Sequence, residues 1–133
     1  RLLLQELGAG MALPYDPSHL LRLGVDPVRF AGEFAPHVRH AHGKDTALYP
    51  EAAYELGLYQ GSVTDKAHDF GEHVWRYTIP GHGAVNWPEA LRLLKAGGFA
   101  GKISVELEDE HFNGTEAGEK RGLELSLAYL SGV

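Results

Sequence analysis

Cysteine is absent from this chain of 133 residues, which excludes disulfide bonds and metal sites built from thiolates. Any metal ion bound by the protein must therefore be held by histidine, aspartate or glutamate. This is a ligand set that suits Mn, Mg, Co, Fe or Zn.

Clusters of lysine and arginine are also missing, and the net charge is -6. A nucleic-acid partner would need such clusters to contact phosphates, so the composition argues against one. Apolar runs stay below the roughly 18 residues that a membrane-spanning helix needs, and no secretory signal pattern opens the chain. We therefore expect a cytoplasmic protein that binds neither nucleic acid nor a membrane.

What the chain does contain is an ordinary globular composition, with 44% hydrophobic and 23% charged residues, enough for one modest domain. Its first residues, "RLLLQELGAG", are typical of a helix that ends at glycine. Because no strand precedes this helix and Arg1 is not an initiator methionine, we expect part of the fold to lie upstream of these residues.

Helix and strand signals alternate along the sequence in the order α-β-α-β-loop-α-β-α. Strands are predicted at residues 11–15, 38–45 and 101–109, and residues 46–83 are interpreted as a long functional loop. Two helix starts are well marked, by Asp26 before a proline and by Asn86 three residues before a glutamate. This alternation predicts parallel βα units and hence an α/β fold.

Each predicted strand ends in side chains that suit metal binding or acid–base chemistry. In the third strand, Ile103, Val105 and Leu107 share one face, whereas Glu106 lies on the other. The carboxyl ends of parallel strands form the active-site face of a TIM barrel, so these groups are expected to lie near one another. The strand-end groups are Asp16 with His19, His40 with His42, and Glu106 with Glu108.

Structural interpretations remain open for several of these residues. Asp16 precedes a proline and also fits a turn or a helix cap, and His19 also fits a simple backbone hydrogen bond. We interpret His40 as a satisfied inward-facing histidine rather than a ligand. The acidic run of residues 108–110 is expected to form a solvated loop rim. His42 and Glu106 carry the stronger functional signal, because a carboxylate in an alternating strand is costly without a cation.

Four segments in order, "YDPSHL", "HAHGKD", "WRYTIPGHGAVNW" and "GKISVELED", carry a family resemblance. They resemble the C-terminal half of the xylose-isomerase-like TIM barrels, the sugar phosphate isomerase/epimerase family, which includes inosose dehydratases, ketose 3-epimerases and, more distantly, endonuclease IV. The resemblance implies a (β/α)8 barrel of which residues 1–133 form one partial domain, about strands six to eight, with the N-terminal half missing.

The resemblance also implies a divalent metal, first of all Mn²⁺, with Mg²⁺, Co²⁺ or Zn²⁺ as alternatives. By motif, the metal ligands are Asp16, His42 and Glu106, and a fourth ligand of the family, a glutamate on the preceding strand, has no counterpart here. The implied activity is isomerisation or epimerisation of a sugar, polyol or sugar phosphate, by proton abstraction alpha to a carbonyl. Glu106 and His19 would be catalytic, and His19, Lys44 and Arg76 would bind substrate, with Trp75 and His82 as a weaker substrate wall.

Lys44 has an alternative interpretation as an exposed, solvating residue. Two alternatives to the isomerase also remain, namely an inosose dehydratase-type lyase on the same scaffold and a non-catalytic half-barrel. An endonuclease IV-like enzyme would need more ligands and a basic face. Because a partial barrel leaves sheet edges and an apolar face open, association into a homo-oligomer is expected.

Overall fold

A computed structural model describes residues 1–58 and 67–133 of the chain. Within these ranges, no helix is both long and apolar enough to cross a membrane. The helices are α1 (Leu2–Leu7), α2 (Pro17–Arg22), α3 (Pro27–Phe34), α4 (Pro50–Leu56), α5 (Trp87–Ala96) and α6 (Glu116–Ser131), and the strands are β1 (Leu13–Tyr15), β2 (Val38–Gly43), β3 (Asp45–Leu48), β4 (Trp75–Thr78) and β5 (Lys102–Val105).

The three predicted strands form one parallel sheet in the order β1-β2-β5, which confirms the α/β fold and the adjacency of the strands. In the register, Tyr15 pairs with Ala41, and Gly43 pairs with Val105. The carboxyl ends of the strands therefore reach the same edge of the sheet. Residues 16, 44 and 106 follow these ends directly.

The hydrophobic core joins this sheet to helices α3 and α5. Asp26 caps α3 by accepting hydrogen bonds from two backbone N–H groups, and Asn86 caps α5 in the same way through the N–H of Glu89, as the sequence predicts. The core residues that are almost completely buried are Tyr15, Ala31, Ala35, Val38, Ala41, Trp87, Ala90 and Leu94. The helices thus cover one face of the sheet.

The alternation in β5 is as predicted, because Ile103 packs against the core. A Cβ atom at Gly43 would lie 3.0 Å from Leu130 Cδ1 and 3.3 Å from Ile103 Cγ2, so α6 packs closely on this side of the sheet. Successive side chains of a strand point to opposite faces. The side chain of Glu106, which follows β5, therefore lies on the face of the sheet opposite to the helices.

The prediction that residues 46–83 form one long loop is wrong. This segment holds most of β3, all of α4 and all of β4, and β3 pairs with β4 as an antiparallel ribbon. Residues 59–66 of the predicted loop lie outside the described residues. The second strand accordingly stops at Gly43 rather than at residue 45, because Asp45 pairs with Thr78 in the ribbon.

Asp45 is the reason for this change of partner. It is completely buried, and its carboxylate accepts hydrogen bonds from the N–H groups of Thr46, Gly81 and Val85 and from Trp87 Nε1, at 2.8–3.1 Å. Burial raises the pKa of Asp45, and these donors oppose the rise. A Cβ atom at Gly83 would lie 2.3 Å from Asp45 Oδ1, so glycine is required where the loop wraps around this carboxylate.

The other strands are shorter than predicted. The first covers Leu13–Tyr15, and the third covers Lys102–Val105, so Glu106 follows the third strand instead of lying inside it. Its backbone N–H still donates to Gly43 O at 3.3 Å, which continues the pairing by one residue. The short helix α2 is not predicted from the sequence, and Asp16 is its N-cap. The helix-cap interpretation of Asp16 is therefore confirmed.

Candidate metal centre

Asp16, His42 and Glu106 converge at the carboxyl edge of the parallel sheet. One potential ligand atom from each lies within 4.8 Å of the other two, and all three side chains are partly buried. They come from the ends of the three adjacent strands, so the parallel register is what brings them together. The structure thus places the three residues as a candidate metal site, and their assignment as metal ligands stays a prediction.

The two carboxylate oxygens of Asp16 have different partners. Oδ1 accepts hydrogen bonds from Ser18 N at 3.0 Å, Ser18 Oγ at 2.6 Å and His19 N at 3.3 Å, which caps α2. Oδ2 lies 3.5 Å from His19 Nε2 and 3.9 Å from Lys44 Nζ. The cap fixes the carboxylate through Oδ1 and leaves Oδ2 available to bind a cation.

His42 and Glu106 are already in contact, with His42 Nδ1 2.5 Å from Glu106 Oε1. The imidazole of His40 packs edge-on against His42, with ring centroids 5.2 Å apart. His40 is not part of the cluster of potential ligands found among the described residues. Its interpretation as an inward-facing histidine without a ligand role stays a prediction.

The three side chains fit a divalent cation by size and chemistry. With metal–ligand distances of about 2.1 Å, two ligands of one ion lie at most about 4.2 Å apart. The separations within 4.8 Å therefore need only a small contraction. Two carboxylates and one imidazole are a hard O/N donor set, which suits Mn, Mg, Fe, Co or Zn and not a cation that prefers sulfur.

The carboxylates at this edge of the sheet lie close to a cation of the protein itself, the ammonium group of Lys44. Its Nζ lies 2.6 Å from Glu106 Oε2 and 3.3 Å from Glu108 Oε2, and the side chain is only 2% exposed. The ammonium also lies 4.6 Å from the centroid of the Tyr77 ring. The interpretation of Lys44 as an exposed, solvating residue is therefore wrong, because folding of β4 over it removes it from water.

The charges in this cluster shift one another's pKa values. Burial raises the pKa of Glu106, but the hydrogen bonds and charges of Lys44 and His42 outweigh burial and hold it below its usual value. Burial lowers the pKa of Lys44, but Glu106, Asp16 and Glu108 outweigh it and raise the pKa of the ammonium. At neutral pH, Glu106 is thus a carboxylate and Lys44 is a cation.

An aromatic wall stands beside the cluster, and sequence reasoning missed its central residue. Tyr77 Oη lies 3.2 Å from His19 Nδ1, and the two ring centroids are 5.3 Å apart. Trp75 packs against Tyr77 at 4.8 Å, and the Arg22 guanidinium lies 5.2 Å from the Trp75 ring. The alternation in "WRYT" is the signal that would have shown Trp75 and Tyr77 on one face of a strand.

Arg76 points away from this wall, as the alternation of β4 requires. It donates to Asp109 Oδ1 at 3.0 Å and to Tyr49 Oη at 2.9 Å. Asp109 is completely buried and also accepts from Thr78 Oγ1 at 2.5 Å and from Ile79 N at 3.2 Å, so the prediction of a solvated rim is wrong for this residue. The assignment of Arg76 to substrate binding stays a prediction.

The assignment of His82, the remaining predicted wall residue, to substrate binding stays a prediction. His82 is exposed, and its ring lies 6.1 Å from that of Phe112. Glu108 is about two-fifths exposed and contacts Lys44, which agrees with its expected place on the rim.

No protein-family model matches the chain. It is 35% identical over 106 residues to the uncharacterized protein YfiH of Bacillus subtilis, covering 77% of this chain and 33% of that protein. It is 28% identical over 102 residues to an inosose dehydratase of Geobacillus thermodenitrificans, and the alignment covers 75% of this chain and 31% of that protein. It is also 29% identical over 110 residues to the rhizopine catabolism protein MocC of Rhizobium meliloti, and the alignment covers 81% of this chain and 31% of that protein.

The similarity to proteins named inosose dehydratase and MocC supports, at low identity, the resemblance to the xylose-isomerase-like superfamily. The chain spans about a third of the length of the curated relatives that it matches.

Proposed function

We propose that the chain is part of a metal-dependent enzyme that acts on a small sugar or polyol by removing a proton alpha to a carbonyl. The convergence of Asp16, His42 and Glu106 at the carboxyl edge of a parallel sheet carries this proposal. In parallel α/β folds this edge is where catalytic groups are placed. The similarity to proteins named inosose dehydratase supports a sugar-like substrate.

In this proposal Asp16, His42 and Glu106 hold the divalent cation, with Mn²⁺ as the first candidate and Mg²⁺, Co²⁺ or Zn²⁺ as alternatives. When bound, the cation would polarise the substrate carbonyl and so acidify the neighbouring C–H group. Glu106 accepts the proton, since Lys44 and His42 hold its pKa below the usual value and the group is therefore ionised at neutral pH. His19 holds a substrate oxygen, and Lys44 stabilises negative charge that develops on the substrate.

We further propose that residues 1–133 supply about strands six to eight of a (β/α)8 barrel and that a fourth carboxylate from another strand completes the site. Two features support this proposal. The parallel sheet of the described residues has three strands, and the matched relatives are about three times as long as the aligned segment. With three ligands, the chain should bind the cation weakly, and turnover should need the remaining strands.

A lyase that dehydrates an inosose is the second candidate, because several of the similar proteins carry that name. Both reactions begin with the same proton abstraction. They differ afterwards, since an isomerase or epimerase returns a proton, whereas a dehydratase expels water.

The test combines metal binding with isotope exchange. We expect Mn²⁺ to bind the 133-residue chain with one equivalent, and the Glu106→Gln variant to lose most of this affinity, as measured by calorimetry. In a protein that also carries the upstream strands, incubation with a ketose or an inosose in D₂O should give metal-dependent deuterium incorporation next to the carbonyl. Elimination of water from the inosose would identify the dehydratase. Full activity after chelation of all metal would contradict the proposal.

A further inference from the structure

We propose that Tyr77 is a positioning residue that holds the His19 imidazole with a hydrogen on Nε2, so that His19 meets the substrate as a hydrogen-bond donor and does not bind the metal. This inference rests on the proposed function for the role of His19. The ring state itself follows from contacts within the protein, and it is measurable without any turnover.

The position of Tyr77 is fixed by its surroundings. Its backbone pairs with Thr46 across the ribbon, and its N–H donates to Phe70 O at 2.8 Å. The residue is 8% exposed, and its ring contacts Trp75 and lies near the Lys44 ammonium. The phenol oxygen is therefore held at 3.2 Å from His19 Nδ1 by packing on several sides.

The two nitrogens of His19 have different partners, and together these partners select a ring state. Nδ1 faces the hydroxyl of Tyr77, which can donate its hydrogen, and Nε2 faces Asp16 Oδ2 at 3.5 Å. An ionised carboxylate only accepts hydrogen bonds. If neutral His19 carried its hydrogen on Nδ1, the lone pair of Nε2 would face that carboxylate oxygen, which is repulsive. The tautomer with the hydrogen on Nε2 satisfies both contacts.

This ring state separates the roles of the two histidines at the sheet edge. A nitrogen that carries a hydrogen has no lone pair to give to a cation, so His19 Nε2 cannot be a metal ligand while Tyr77 donates to Nδ1. The contact of Nε2 with Asp16 Oδ2 is long, at 3.5 Å, so this hydrogen can instead be donated to a hydroxyl or carbonyl oxygen of a substrate. His42 remains the histidine of the candidate metal site.

The first experiment measures the tautomer directly in the metal-free chain. Histidine is labelled with ¹⁵N, and the His19→Gln variant identifies the His19 signals. We expect wild-type His19 to show an unprotonated Nδ1 and a protonated Nε2, and Tyr77→Phe to shift the ring toward a mixture of tautomers. Tyr15→Phe is the matched control, because it removes a buried hydroxyl that donates to Pro27 O at the same 3.2 Å, and it should leave His19 unchanged.

Two results of this experiment would overturn the inference. One is a wild-type His19 with its hydrogen on Nδ1, and the other is a Tyr77→Phe variant with the wild-type tautomer. Tyr77→Phe retains the aromatic ring, and the dispersion of its amide spectrum shows whether it is folded. The wild-type measurement alone tests the ring state if the variant does not fold.

A second experiment adds Zn²⁺ as a diamagnetic cation. We expect the His42 signals to shift while His19 keeps the hydrogen on Nε2, and loss of that hydrogen would overturn the inference. If no histidine responds to the cation, the proposed function fails, while the metal-free tautomer measurement still stands. In a form of the protein that turns over sugar, Tyr77→Phe should raise KM about fivefold with little change in kcat, as expected for loss of one hydrogen bond. A KM equal to that of wild type would remove Tyr77 from this role.

Discussion

Replacing Lys44 with methionine removes the ammonium from the carboxylate cluster while keeping most of the side-chain volume. Removal of one partner from a fully buried ion pair costs about 3–5 kcal/mol. Here Glu106 and Glu108 are each more than a third exposed, so water compensates part of the loss, and we expect a decrease of about 2 kcal/mol in the free energy of unfolding. With an unfolding entropy of about 2.1 cal/mol/K per residue, this corresponds to a fall of about 7 °C in Tm for the metal-free chain.

The same substitution should strengthen binding of a divalent cation. The ammonium contacts Glu106 and lies 3.9 Å from Asp16 Oδ2, so it repels any cation that these carboxylates hold. At an effective dielectric constant of about 20, charges of one and two units about 5 Å apart repel by several kcal/mol. We therefore expect Lys44→Met to bind Mn²⁺ at least about tenfold more tightly than wild type. This gain adds about 1.4 kcal/mol to the free energy of unfolding at saturating metal.

The assay is thermal unfolding with and without Mn²⁺, combined with calorimetric titration of the cation. Lys102→Met is a suitable control, because Lys102 is exposed on β5 of the same sheet and should change neither quantity. A Lys44→Met variant with wild-type metal-free stability, or one that is folded and binds Mn²⁺ more weakly than wild type, would refute the reasoning.

Three further predictions concern the candidate site, the buried ion pair and the open edges of the sheet. Glu106→Gln should reduce turnover by at least about 100-fold, because it removes a proposed metal ligand and base, whereas His19→Ala should mainly raise KM. Steady-state kinetics of both variants measures these effects. Undiminished activity of Glu106→Gln would contradict the catalytic assignment of Glu106. Asp109→Asn should cost about 3–5 kcal/mol at neutral pH, because it leaves Arg76 without its buried partner. Although burial raises the pKa of Asp109, its hydrogen bonds and the charge of Arg76 lower this pKa on balance. The contribution of Asp109 to the free energy of unfolding is therefore complete above about pH 4, and it is lost as the pH falls through the folded-state pKa. Urea unfolding from pH 7 to pH 2 should accordingly show a smaller loss of stability in acid for Asp109→Asn than for wild type. Light scattering should find a dimer or larger species, since β1 and β5 have open edges in the described sheet, and a monomer at high concentration would count against association through these edges.

Much of the fold was predictable from local patterns. Asp26 and Asn86 mark helix starts because a cap needs only a side-chain acceptor within three residues of free N–H groups, and the structure has both caps. The antiparallel ribbon was missed because it depends on distant pairing, such as Asp45 with Thr78. A segment rich in tyrosine, glycine and histidine carries weak strand signals, so residues 46–83 were interpreted as a loop.

The elements that carry the candidate site are predictable from local sequence patterns. Alternating strands and helices dictate parallel strands, and parallel strands bring their carboxyl ends to one edge. Asp16, His42 and Glu106 are among the strand-end groups expected to lie near one another, and the structure places one ligand atom of each within 4.8 Å of the others. The assignment of these residues to metal binding and catalysis stays a prediction, as does the cytoplasmic location.

The surroundings of these three residues depend on tertiary packing. Lys44 is buried against Glu106, Tyr77 faces His19, and Asp109 is buried beneath Arg76. The partners in these contacts lie 62, 58 and 33 residues apart in the chain. A periodic pattern shows which face of an element a side chain occupies, but the partner across space depends on how the ribbon folds over the sheet edge. That packing sets the charge balance at the site and the ring state of His19, because both depend on which groups exclude water and which donate a hydrogen.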